Sequence, residues 1–462
     1  VTLIKSISGI RGTIGGPIGM GLTPIDAVKF AAAYGVWIKE NNPNIKPTIV
    51  IGRDARKSGK MIQDLVISTL QGLGINIVNL NLSTTPTVEI AVPLENANGG
   101  IIITASHNPK QWNALKLLNE KGEFINDEQG KKILALAEEA SFEFAEIDDL
   151  GTVREDNNYL EKHINAVLDL DLVDAEIIRK ANFSIVVDAV NSSGGIFIPA
   201  LLHALGVKVI HELYCDPTGE FPHNPEPLPE NLTAIAAKIK EEKADLGIVV
   251  DPDVDRLAFV CEDGSMFGEE YTLVAVADYV LQNTPGNTVS NLSSTISLRE
   301  ITDRYENSNY SAAAVGEVNV VQKMKDTNAV IGGEGNGGII YPASHYGRDA
   351  LVGVGLFLTL LAKKQLKTSE LRATYPDYYI SKNKIELDPS MDVDSILSAI
   401  QKEYPTQEID TTDGVKIYFG SEWAHLRKSN TEPIIRIYSE SATKVQANKI
   451  AFDIMDKIRS LA

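Results

Sequence analysis

The chain has 462 residues and a formal net charge of −19, from 43 basic and 62 acidic side chains. That length suits three or four domains of about 100–200 residues each. The charge repels nucleic acid and anionic lipid at long range, so neither is an expected partner, and an anionic substrate would need cations gathered locally.

The first residues, VTLIKSISGIRG, place Gly and Arg where a secretory signal needs an unbroken apolar run. The longest uncharged apolar stretch, residues 350–362, is well short of the roughly 20 residues that span a bilayer, so it reads as a buried helix. A cytoplasmic protein that does not enter a membrane is expected. Cys215 and Cys261 lie far apart and lack CxxC spacing, which fits core thiols rather than a disulfide framework or a thiolate metal site.

Three stretches repeat one scheme, a β-branched run, a small-residue turn containing Ser, then a helical period: TIVIGRDARKSG from Thr48, SIVVDAVNSSGG from Ser184 and NTVSNLSST from Asn287. In the first two the helix reaches Leu-Gly, then another β-rich run, INIVNL or VKVIHEL, which is a βαβ signature. The repetition predicts three similar α/β sandwich units with mixed, mostly parallel sheets, followed by a smaller C-terminal α+β unit. The expected boundaries give residues 1–155, 156–258, 259–370 and 371–462. Within the last part a helix is expected over 393–403, strands near 415–419 and 434–438, and a closing helix from Ala442. Residues 369–388, which mix Tyr, Pro and charges without periodicity, read as a linker.

Four segments carry candidate chemistry. The run NGGIIITASHNP brings Ser106 to the carboxyl end of a buried strand, where ligands gather in open α/β sheets. Its hydroxyl is expected to be exposed, although an ordinary Ser turn closed by Asn-Pro reads the same way. His107 is a candidate base for it. After LGIVV come Asp251, Asp253 and Asp255, three carboxylates at alternate positions that suit a hard cation. An EF-hand is excluded because Arg256 stands where its sharp turn needs Gly and the flanks read as strands. The glycines around Glu334 and Asn336 form an expected loop offering polar groups to sugar hydroxyls, with a plain flexible turn as the alternative. Finally, RKSNTEP from Arg427 combines cations, hydroxyls and an amide as a phosphate cradle would, or as a solvated turn would. Arg11, Arg53 and Arg56 stand beside glycine turns.

Taken in order, GIRG, GRDARKSG, TASHNP, DPDVDR, GGEGNGG and RKSNTEP resemble the motifs of the α-D-phosphohexomutase family over essentially the whole chain. The resemblance implies four domains around a central cleft and a sugar-phosphate substrate, in a monomer or homodimer. It implies that Ser106 is the phosphoserine, and that Mg²⁺ is held by Asp251, Asp253, Asp255 and an oxygen of the Ser106 phosphate. Glu334 would bind sugar hydroxyls, and Arg427, Ser429, Asn430 and Thr431 the nonreacting phosphate. Arg11 and Lys116 would lie beside the transferred group, with Arg256 adding local positive charge and Lys116 preferred to His107 for proton handling.

The implied reaction interconverts hexose or hexosamine 6- and 1-phosphates through a hexose 1,6-bisphosphate, which also serves as activator. Many relatives read G-E-x-S-G-H in the sugar loop, whereas this chain has Asn336 and Gly338 at the Ser and His places. That form, with VGEVNV at residues 315–320, resembles the phosphoglucosamine mutase subgroup more than the phosphoglucomutase and phosphomannomutase subgroups. A Ser-nucleophile phosphatase is the competing enzyme class, and a silent sugar-phosphate binder the competing non-enzyme.

Overall fold

The sheets are built where β-branched residues alternate between two cores. In the strand Thr48–Arg53, Ile49 and Ile51 join one buried cluster with Ile77, Ile101 and Ile103, while Val50 faces a second cluster with Val78 and Ile102. A sheet covered on both faces needs such continuous apolar runs, which explains why the motif lacks polar alternation. The computed structural model describes residues 2–6, 9–386, 392–428 and 434–461. They fold as two units, Val1–Thr272 with Gly337–Leu371, and Leu273–Asn336 with Arg372–Ala462.

The first unit holds a seven-stranded sheet and a four-stranded sheet. In the former, Gly99–Ile103, Thr48–Arg53, Asn76–Leu82 and Val153–Glu155 run parallel in that order. Trp112–Leu118, Gly9–Thr13 and Ile4–Ser6 extend it antiparallel, so this sheet is evenly mixed rather than mostly parallel. The second sheet places Leu246–Val250 and Val209–Leu213 parallel on either side of Ser184–Asp188, with Leu257–Cys261 antiparallel at the edge.

The apolar stretch at 350–362 lies in the helix Ala350–Lys364, buried all round from Ala350 to Ala362. Asp349 caps its start by accepting from the amides of Leu351 and Val352. Phe357 stacks on Phe259 at 3.7 Å between centroids and meets Phe267 edge-on. Of the two thiols, Cys261 is buried, whereas Cys215 is half-buried beside the Val187 and Leu213 carbonyls.

In the second unit, Thr288–Asn291 runs parallel to Tyr310–Ala313 on one side and Ile331–Glu334 on the other. A five-stranded antiparallel sheet follows in the order Tyr379–Glu386, Ile434–Ser441, Glu422–Lys428, Val415–Phe419 and Glu408–Asp410, packed on helices Val393–Lys402 and Lys444–Leu461. The described part of residues 369–388, up to residue 386, is therefore no linker. It contains the end of the helix Thr368–Arg372 and an eight-residue strand. That strand lies at the sheet edge, where half of its side chains are exposed, so its sequence shows no apolar run.

Candidate active site

Two buried strands of the first unit end at the same place. Gly99–Ile103 runs into Thr104 and turns at Ser106 with φ +47°. Such a left-handed residue costs on the order of 1 kcal/mol and persists only where neighbours impose it. Here Thr104 Oγ1 accepts from the Ser106 amide at 2.9 Å and donates to Asp54 Oδ2 at 2.7 Å. Leu246–Val250 leads into Asp251, Asp253 and Asp255, all fully buried, with Val254 between them at φ +63°. A β-branched residue rarely takes that conformation, and it lets alternate carboxylates point the same way.

One oxygen from each of the three aspartates lies within 4.8 Å of the others. Ser106 Oγ donates to Asp251 Oδ2 at 2.7 Å, while the Arg256 amide donates to Asp251 Oδ1 at 3.1 Å. Lys116 Nζ, from the strand Trp112–Leu118, donates to Asp253 Oδ2 at 2.7 Å and Asp255 Oδ2 at 3.2 Å. Thr85 Oγ1 adds a 2.5 Å bond to Asp253 Oδ2, and Arg348 Nη2 a 2.7 Å bond to Asp255 Oδ2. Oδ1 of Asp253 and Oδ1 of Asp255 are buried with no hydrogen-bond partner. An unsatisfied buried acceptor costs about 1–3 kcal/mol, more when charged. Two such oxygens in an all-oxygen triad fit a hard divalent cation.

The electrostatics divide the triad. Burial, reinforced by Asp253 and Asp255, pushes the Asp251 carboxyl well above its ordinary range. Burial acts the same way on Asp255, but Arg348 and Lys116 overcome it and hold that carboxyl below the usual range. Lys116 is the converse: burial alone would lower it, yet Asp253 and Asp255 raise it, so it is a fixed cation at neutral pH. Burial lowers His107 strongly, helped by Arg256 and Arg11, which keeps the imidazole neutral. Its Nδ1 lies 3.4 Å from Ser106 Oγ, long for a catalytic pair.

Contrary to the expectation of an exposed hydroxyl, Ser106 is only 3% exposed. The aspartate loop packs over the strand end and accepts its hydrogen bond, a long-range contact that the hexapeptide alone does not encode. Beside it, Arg11 Nη1 donates to Asn108 Oδ1 at 2.8 Å. Arg256 is 8% exposed, its Nε buried with no hydrogen-bond partner and its Nη1 3.6 Å from Glu226 Oε1. Burial and Arg256 lower Arg11, so these cations stand close enough to repel. A phosphate would relieve that repulsion.

The second unit carries the sugar-loop and cradle candidates. Glu334 Oε1 accepts from Asn291 Nδ2 at 2.8 Å and the Gly316 amide at 3.1 Å, while Asn336 is half-buried. The glycine segment is not one loop, since Gly332, Gly333 and Glu334 end the strand Ile331–Glu334 and Gly338 begins the strand Gly338–Ile340. A Cβ on Gly332 would lie 2.5 Å from Met324 Sδ, so that glycine serves close packing rather than loop freedom. Arg427 Nε pairs with Asp413 Oδ2 at 2.9 Å. Ser429, Asn430 and Thr431 lie outside the described residues.

Thr85 and Arg348 were not anticipated. Thr85 follows the N-cap Thr84 at the end of the strand Asn76–Leu82, the same strand-end signal that singled out Ser106. Arg348 precedes the helix-capping Asp349, where Gly-Arg-Asp before an apolar run was a readable cue.

The comparisons agree with this geometry. Models for domains I, II and III (alpha/beta/alpha) and the C-terminal domain of phosphoglucomutase/phosphomannomutase match residues 3–144, 159–264, 268–378 and 384–457. A phosphoglucomutase/phosphomannomutase of Thermococcus kodakarensis is 35% identical over 93% of this chain and 93% of its own. A phosphoglucosamine/phosphogalactosamine mutase of Sulfurisphaera tokodaii is 32% identical over 96% of this chain and 97% of its own. The crystal structure of a phosphoglucomutase/phosphomannomutase family protein from Burkholderia thailandensis, 24% identical, shares the fold with a TM-score of 0.84 over 99% of this chain and 98% of that one. Four consecutive domain matches and relatives above 30% identity along nearly the whole length show that this chain belongs to the phosphoglucomutase/phosphomannomutase family, the α-D-phosphohexomutases.

Proposed function

We propose that the protein interconverts the 6- and 1-phosphates of a hexosamine or hexose by way of a phosphorylated Ser106. The observation that carries this reading is the buried Ser106 hydroxyl bonded to Asp251 in a triad with two partnerless carboxylate oxygens, beside Arg11 and Arg256.

The sugar hydroxyl oxygen attacks the phosphorus of phosphorylated Ser106, and the P–O bond to Ser106 Oγ breaks. In net balance the hydroxyl proton ends on Ser106 Oγ, leaving a hexose 1,6-bisphosphate. After that intermediate reorients, Ser106 Oγ attacks the other phosphorus, returning its proton to the departing sugar oxygen. Asp251, Asp253 and Asp255 would hold Mg²⁺, together with a Ser106 phosphate oxygen; the bound ion supplies charge neutralisation for the phosphoryl group. Arg11 and Arg256 offset the remaining negative charge. Lys116, kept protonated by Asp253 and Asp255, contributes a fixed positive charge and is a poor base until its partners change. Glu334 would orient the sugar, and Arg427 with Ser429, Asn430 and Thr431 would hold the nonreacting phosphate.

Glucosamine phosphates are the preferred substrates in this reading, on the strength of the GEGNGG form of the sugar loop. The relatives' names support both amino and neutral sugars, being phosphoglucosamine/phosphogalactosamine mutase in one case and phosphoglucomutase/phosphomannomutase in another. Rates on glucosamine, glucose and mannose 6-phosphates, measured side by side with Mg²⁺ and the matching 1,6-bisphosphate, test the assignment. A higher kcat/KM for glucosamine phosphate supports it. Flat traces on all three, with steady release of inorganic phosphate, would replace the mutase by a phosphatase.

A further inference from the structure

The repeated turn GRDARKSG is not absorbed by the chemistry above, yet it contains a completely buried arginine. Arg56 is 1% exposed, and all five of its guanidinium N–H groups are accounted for. Nε donates to Asp54 Oδ2 at 3.1 Å. Nη1 donates to the carbonyls of Pro109 at 2.9 Å and Trp112 at 3.0 Å, and Nη2 to those of Ser106 at 2.5 Å and Asn108 at 2.6 Å. Four carbonyl oxygens of one turn thus converge on a single cation whose counter-charge, Asp54, also receives the Thr104 hydroxyl. The equivalent turn of the second repeat completes the arrangement. Ser192 Oγ accepts from the Ala55 amide at 3.3 Å and donates to the Pro252 carbonyl at 2.7 Å.

We infer that Arg56, with Asp54 as its counter-ion, is a positioning residue that sets the backbone of the Ser106 turn and thereby aims Ser106 Oγ at Asp251. This inference rests on the reading of Ser106 as the phosphoryl carrier. Turning the Ser106 carbonyl toward Arg56 holds this non-glycine residue at φ +47°, a conformation that a relaxed turn would leave. Ser192 fixes the Asp54–Arg56 turn to the aspartate loop, so the nucleophile and the metal triad are registered against each other through one buried guanidinium. Lysine cannot substitute, because three tetrahedral donors cannot satisfy four in-plane carbonyls and a carboxylate.

The test compares Arg56→Lys, Arg56→Ala, Thr104→Val and Ser106→Ala with the wild type in full-length protein, under saturating Mg²⁺ and 1,6-bisphosphate. Arg56→Lys is expected to lose about a hundredfold in kcat, the effect of roughly ångström-scale misplacement. KM for the sugar phosphate should stay within about threefold, because uniform binding is untouched. Thr104→Val, which keeps the shape but cuts the link from Asp54 to the Ser106 amide, should lower kcat by about tenfold with the same split. Added guanidinium should restore part of the activity of Arg56→Ala, and an equal concentration of sodium chloride should not. If Arg56→Lys fails to fold, Thr104→Val carries the decision. Wild-type kcat in the variants that fold, or a loss proportional only to the unfolded fraction, would overturn the inference. Full activity in Ser106→Ala would instead overturn the reading of Ser106 beneath it.

Discussion

Ser106 and Asp251, 145 residues apart in sequence, share a 2.7 Å hydrogen bond within a buried pocket of charge. Burial and its two acidic neighbours raise the Asp251 carboxyl. Removing the hydroxyl deletes that donor, so Ser106→Ala should cost about 1–3 kcal/mol of stability without Mg²⁺, and less with it. Thermal unfolding at both conditions checks this.

Asp253 and Asp255 each keep one buried oxygen without a donor. Mg²⁺ is expected to raise the unfolding temperature of the wild type, reaching about 2.7 kcal/mol at a concentration a hundredfold above Kd. Asp253→Asn with Asp255→Asn removes the repulsion and the ligands together. It also strips the buried Lys116 and Arg348 of their carboxylates, so the double variant should be less stable than the metal-free wild type by about 3–5 kcal/mol and show no Mg²⁺-dependent shift in calorimetry.

Lys116 is the cation shared by those two carboxylates. Lys116→Ala leaves Asp255 with Arg348 and Asp253 with only the Thr85 hydroxyl among the described donors. Breaking a buried pair from one side costs about 3–5 kcal/mol. Denaturant unfolding should show that loss, with part of it recovered on adding Mg²⁺.

Asp349 gives an acid-limb prediction. Burial would raise its carboxyl, but His163 Nε2 at 2.8 Å and His345 Nε2 at 3.0 Å hold it well below the usual range. A depressed folded value means the contribution is present above the unfolded carboxyl's value, near pH 4, and is lost as pH falls below it toward the folded value. Asp349→Asn should therefore be less stable than the wild type by about 3 kcal/mol at pH 7, with the gap narrowing below about pH 4. Urea titrations across that range measure it.

The legible parts of the molecule were those encoded locally. The β-branched runs before Asp54, Ser106 and Asp251 announced buried strands with polar turns at their carboxyl ends, and the alternate aspartates announced a cluster of carboxylates that could hold a cation. What escaped was set by packing between distant segments. The burial of Ser106 depends on the aspartate loop, and the weight of Arg56 on four carbonyls some 50 residues away. The strand Tyr379–Glu386 escaped for another reason: at a sheet edge its pairing is made by backbone, and its side chains keep the polar mixture of a linker.

The most direct measurement is the intact mass of the full-length protein after incubation with the hexose 1,6-bisphosphate and Mg²⁺, taken alongside mutase rates. One phosphoryl group on the wild type, mapped to Ser106 and chased off by unlabelled 6-phosphate, is the expected result, with both the mass increment and the activity lost in Ser106→Ala. Mutase activity at the wild-type rate in Ser106→Ala, or a phosphoryl group that maps elsewhere and turns over, would contradict it.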